Sequence, residues 1–161
     1  VNRFGLIPWQ AVYALLSICG FYFIIKGYSL TRLEPSVLYI PPIWLRHLTL
    51  VLMLPVFPLI IATYLPGKIQ ATVKHPMLMG TAIWAFCHLL SNGLKADLVL
   101  FSGFLAWALV DIISQQKRKA EAIPGAPASP YNDLIALVGG VLIYAMFLFG
   151  LHTRLIGVGL I

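Results

Sequence analysis

The stretch VKHPMLMGTAIWAFCHLLSNG, residues 73–93, decides how this chain folds. Between His75-Pro76 and Asn92-Gly93 it is almost wholly apolar. Its length approaches the roughly 20 residues, at about 1.5 Å each, that cross a bilayer as a helix. It nevertheless keeps His75 and His88, thirteen residues apart. Ionisable groups are costly inside a spanning segment, so each is a candidate for function.

The rest of the composition agrees with a membrane setting. Hydrophobic residues make up 60% of the 161, charged residues 10%, and the mean hydropathy is +0.92, whereas about a quarter of the residues in soluble domains are charged. The whole chain, residues 1–161, reads as one all-α transmembrane domain. Eleven Lys and Arg against five Asp and Glu leave a net charge of +6, which beside a bilayer suits anionic headgroups. No interleaved basic and aromatic motif points to nucleic acid. Cys19 and Cys87 lie in apolar runs with no CxxC pair, so they read as small core residues and not as a disulfide framework or zinc site. The sequence opens on Val1 without a signal peptide, and a native upstream segment is expected to be missing.

Five segments approach spanning length: about Trp9 to Ile25, Ile43 to Tyr64, Val73 to Leu90, Ala96 to Ile113 and Leu134 to Leu151. Pro55 and Pro58 should kink the second. Ser91-Asn92-Gly93 is a helix stop suited to a tight hairpin between the third and fourth. Ser114 to Tyr131, with QQKRKAE and then PGAPASP, reads as a mobile polar loop. If the N-terminal side of the membrane is side A, then Arg3, Lys68, Lys74, Lys117, Arg118 and Lys119 fall there. Lys26, Arg32, Arg46, Lys95 and Arg154 fall on side B. The compact Lys117-Arg118-Lys119 cluster favours side A as cytoplasmic.

Counting crossings places His75 near side A, and His47, His88 and His152 near side B. Along a straight helix His75 and His88 are roughly 20 Å apart, whereas each ligand of a metal sits about 2 Å from it. They cannot share one metal. A hairpin folded at Asn92-Gly93 sets His75 level with Asp111 and His88 level with Asp97, where a carboxylate can accept a ring N–H and fix the tautomer. Gly80, Trp84 and His88 recur at i, i+4 on the third helix, and Gly103, Trp107 and Asp111 on the fourth. The two sets are expected to line one cavity. Plainer readings stand beside this one. His47 next to Arg46 and His152 next to Arg154 fit interfacial anchoring, and Trp84 and Trp107 fit packing. His88 is open between a metal ligand and a structural hydrogen bond. His75, before Pro76, reads as structural or cofactor-positioning, its ring serving the first turn's N–H groups or pairing with Asp111.

The run KHPMLMGTAIWAFCHLLSNG, followed by LVLFSGFLAWALVDIISQQKR and preceded by WLRHLTLVLMLPVFPLIIATYLPGKI, resembles the NnrU family of bacterial membrane proteins from about Trp9 to Arg118. The family pattern is RHPM, a helical W-x-x-x-H, an NG turn and an F-x-x-F-x-x-W-x-x-x-D helix, with Lys74 here where Arg is usual. The resemblance implies a multi-pass protein of the bacterial inner membrane, linked to nitrite and nitric oxide metabolism. It also implies kinship with the plastid ζ-carotene isomerases, which act on an apolar carotenoid and use a haem held by histidines. One of those histidines matches His88, so the resemblance implies His88 as the metal ligand of a haem b, and the spacing read above would set Gly80, Trp84 and Asp97 around it. The other lies in an HS motif on an additional first helix. The first helix here corresponds to the family's second, which points to an upstream segment for the second ligand, with His47 and His152 as alternatives in the same layer.

The HPM segment is also similar to the RHP-x-Y-x-G signature with which membrane methyltransferases related to isoprenylcysteine carboxyl methyltransferase help to hold S-adenosylmethionine. Gly80 fits it. Met77-Leu78 replaces the usual aromatic, and the paired glutamate motif is absent, Glu34 and Glu121 being the only glutamates. Three functional readings follow. The first is a haem-binding protein that handles nitrogen oxides or isomerises an apolar substrate. The second is a membrane methyltransferase, and the third a non-catalytic accessory subunit packed beside other membrane subunits. Lipid is the expected surrounding in each.

Overall fold

The computed structural model describes residues 6–117 and 125–160, and among them the only extended pairing is an isolated bridge between Val37 and Leu94. The helices are α1 (Leu6–Thr31), α2 (Ile43–Leu52), α3 (Val56–Ala62), α4 (Lys68–Val73), α5 (Pro76–Ser91), α6 (Lys95–Gln116), α7 (Asn132–Met146) and α8 (His152–Ile156). A π-helical turn, Phe147–Leu151, joins the last two. Four segments are long and apolar enough to cross a membrane: Ile7–Thr31, Ile43–Ala62, Lys95–Gln116 and Asn132–Ile156. The chain is an all-α, multi-pass membrane protein, and its outer surface of exposed Ile, Leu, Val and Phe side chains faces lipid.

The expected third span is shorter than a full crossing. Helix α5 has 16 residues, about 24 Å of rise against a hydrocarbon core of about 30 Å. Pro76 supplies no N–H and pushes the residue before it out of helical space. His75 sits at φ −126°, ψ 66°, and Lys74 at a positive φ of 63°. Residues 68–73 therefore form the separate helix α4. The kink expected at Pro55 divides the second span into α2 and α3. Pro58 stays inside α3 and seats against Gly140 of α7, where any Cβ would run into the proline ring.

The helices pack in the order α1, α6, α5, then α2 and α3, then α7. Small residues let the backbones approach: Ala82 and Ala85 of α5, Ala108 of α6, Ala62 of α3 and Ala136 of α7 are all buried. Cys87 is buried as expected. Cys19 is exposed, because α1 meets the bundle mainly at α6 and turns most of its described surface outward.

Each end has its own fastening. On side A the Asp133 carboxylate accepts the backbone N–H groups of Lys68 (2.8 Å) and Ile69 (3.0 Å), and buried Asn132 donates to the carbonyls of Pro66 and Pro127. The stretch 125–131 is held there too, through Ala126 N–H donating to Tyr64 O. Arg118, Lys119 and Glu121 lie outside the described residues. On side B, Leu38 N–H donates to Gly93 O and Lys95 N–H to Ser36 O, laying the 33–42 connection against the hairpin turn. Arg46 donates to the carbonyls of Gly159 and Leu160, and Arg32 to that of Ile156.

Candidate functional site

The α5–α6 hairpin carries the histidine that the sequence singles out. Helix α5 ends where Asn92 leaves helical space, its side chain donating to His88 O (2.9 Å). Gly93 follows because the Tyr39 carbonyl occupies the space a Cβ would need. This close approach is a stronger demand for glycine than the helix stop itself. Tyr39 then donates its hydroxyl to Leu89 O. Partial burial, with the Asp97 charge adding to it, pushes the Tyr39 hydroxyl above its usual pKa.

His88 is half-buried one turn before the end of α5. Its Nδ1 lies 2.8 Å from Trp84 O. A carbonyl oxygen can only accept, so Nδ1 bears the proton and Nε2 presents a lone pair. No described residue hydrogen-bonds to Nε2. The ring lies against Phe101 of α6, with centroids 4.4 Å apart and planes 31° from parallel, and 5.0 Å from the Trp84 ring. Trp84 in turn meets Phe101 and Phe104 edge-on at 5.1 and 5.5 Å. Phe101 and Trp84, the latter backed by Phe104, thus hold the imidazole in one orientation.

The carboxylate expected to orient His88 does something else. Asp97 is at the same end of the hairpin, as the level pairing requires, yet it is buried and accepts the hydroxyl of Tyr28 from α1 at 2.5 Å. The backbone of Trp84 has taken the orienting part. The second level pair, His75 with Asp111, is joined by no hydrogen bond, and the His75 ring does not cap the first turn of α5. The backbone carbonyl of His75 instead accepts the N–H of Met79, starting the helix. His75 and Asp111 are half-buried toward side A, away from His88.

The two i, i+4 faces do not share a cavity. Each step of four residues advances about 40° around an α-helix, so Gly80 and His88 point about 80° apart. Gly80 is turned into α3, where a Cβ would sit 3.3 Å from Val56 O, and so it leaves no room for a flat ligand. Trp84 and His88 face α6. Gly103 and Trp107 line a different space, between α6 and α1.

Of the remaining side-B histidines, His47 is exposed on α2. His152 follows the π-helical turn, and its Nδ1 lies 2.7 Å from Val158 O, so its Nε2 is also a lone pair. Among the described residues no cluster of three or more His, Cys, Asp or Glu side chains could hold a metal. Sequence reasoning missed Tyr28 as the partner of Asp97, since the two lie 69 positions apart and no local pattern links them.

A comparison with protein families matches residues 1–160 to the family described as NnrU protein. No curated protein and no solved structure matches the chain.

Proposed function

The chain belongs to the NnrU family, and from that premise we propose that His88 is an axial ligand of a haem b and that the protein handles nitrogen oxides in a bacterial inner membrane. The observation that carries this reading is the fixed tautomer of His88. Its Nδ1–H is held by Trp84 O, and its Nε2 lone pair meets no protein donor. Metal-bound imidazoles keep this arrangement, with the outer N–H engaged and the inner nitrogen free. This arrangement supports the reading of His88 as the residue that would hold the group.

Haem would supply one-electron chemistry there. The protein's own part is orientation and exclusion. Phe101 and Trp84 prevent the imidazole from turning, and with Phe104 they keep water from that side of the ring. His152, with its Nδ1 engaged in the same way at the same end of the bundle, would be the candidate for a second residue holding the group. Purified protein reconstituted with haem should show a Soret band that is lost in His88→Ala. A His88→Ala variant with an unchanged low-spin spectrum would refute the assignment.

A further inference from the structure

A cleft of about 1000 Å³ opens between the second half of α1 and the first half of α6. Its shaft is apolar, walled by Phe23, Val99 and Trp107, and its side-B mouth carries Glu34 and Lys95. Gly27 of α1 and Gly103 of α6 line it, and nothing lies within 4 Å of where a Cβ on either would be.

The glycines are informative because a glycine inside a helix costs about 1 kcal/mol relative to alanine. Gly80, Gly93 and Gly140 meet neighbouring chain at the position of the missing Cβ. Gly27 and Gly103 have no such neighbour. Gly20 and Gly150 are equally open away from the cleft, so the glycines show only that side chains at 27 and 103 would narrow it, and the occupant is read from the lining.

The polarity of the lining says which occupant. It is apolar along its length and charged only at the mouth, where one carboxylate and one ammonium form no ion pair with each other. A headgroup carrying both charges satisfies both, its phosphate meeting Lys95 and its ammonium meeting Glu34. A helix from a second copy would fill the shaft but gives no reason for two opposite, unjoined charges. We propose that the α1–α6 cleft binds a phospholipid with a zwitterionic phosphate–ammonium headgroup, such as phosphatidylethanolamine. The site does not depend on haem at His88.

The test uses the full chain, purified in detergent and stripped of lipid, then titrated with phosphatidylethanolamine or phosphatidylglycerol and read by native mass spectrometry. Wild type should retain phosphatidylethanolamine about tenfold more tightly than phosphatidylglycerol. Gly103→Leu, which fills the shaft, should weaken that retention by about tenfold. Glu34→Lys, an exposed change that leaves the shaft intact, should reverse the headgroup preference. Thermal unfolding and elution volume identify a variant that has failed to fold. If Gly103→Leu fails in that way, Glu34→Lys alone decides. Equal retention of the two lipids by wild type, or an unchanged preference in Glu34→Lys, overturns the proposal. So does a lipid-free dimer of the wild type that Gly103→Leu separates, which would give the cleft to a second copy.

Discussion

The hydroxyl of Tyr28, near the end of α1, donates to Oδ1 of Asp97 in the first turn of α6 across 2.5 Å, and Asp97 is only 4% exposed. This bond ties a helix that is otherwise turned to lipid onto the central hairpin. Burying a carboxylate is tolerable only when it is hydrogen-bonded. Tyr28→Phe removes the donor and should destabilise the protein by roughly 1–3 kcal/mol, read as a lower unfolding temperature in detergent. Asp97→Asn keeps an acceptor oxygen for the tyrosine and should lose less. If Asp97→Asn proves the more damaging change, the negative charge rather than the bond is what matters.

Three histidine variants separate the roles proposed at the two ends of the hairpin. His88→Ala should abolish haem retention. His75→Ala should leave the Soret band unchanged, because its ring makes no cap to the helix and lies toward the other membrane face. His152→Ala should retain haem but convert a low-spin spectrum to a high-spin one. A His152 variant spectrally identical to wild type would remove that residue from the ligand set.

Trp84→Phe tests how His88 is oriented. The group that accepts from Nδ1 is the backbone carbonyl of residue 84, which the substitution leaves in place. The variant should bind haem with an affinity within about threefold of wild type, a difference under about 1 kcal/mol. A loss of binding comparable to that of His88→Ala would mean that the indole ring is required.

Two glycine substitutions should behave oppositely. Gly140→Ala forces a methyl group into Pro58, and such overpacking costs typically about 1–3 kcal/mol. Gly103→Ala meets nothing within 4 Å and gains up to about 1 kcal/mol of helix propensity. Thermal unfolding of the two variants side by side checks this, and a destabilised Gly103→Ala would mean that its helix face is packed against something.

On side A, Asp133→Ala leaves the N–H groups of Lys68 and Ile69 without their acceptor. The loss should be about 1–2 kcal/mol. It should appear as faster amide exchange in residues 67–73 before any global change. Uniform acceleration across α5 and α6 would contradict a local role.

The apolar runs and the Pro and Gly punctuation made the bundle legible in the sequence. The divided second span was announced by Pro55, and the hairpin by Asn92-Gly93. The short α5 was not anticipated, although Pro76 and the histidine before it held the reason, because hydropathy averages across a break that one missing N–H imposes. Equal depth along the hairpin rightly brought Asp97 to the end where His88 sits. It could not give the direction in which either side chain points. Rotation about the helix axis turned Gly80 into α3, and a tyrosine from a distant helix claimed Asp97. The orienting partner of His88 was a backbone carbonyl, for which no residue type is a signature.

The helices stand in a row with α1 at one end and α7 at the other, yet Arg32, just past α1, donates to Ile156 at the far end of the row. Arg46 holds the next carbonyls of the same tail. The row is therefore joined into a ring on side B, while on side A no described side chain of α1 before Gly20 hydrogen-bonds to another helix. The molecule is built like tongs, with the pivot at the side-B arginines and tyrosine. Displacements of α1 should therefore grow steadily with distance from that pivot.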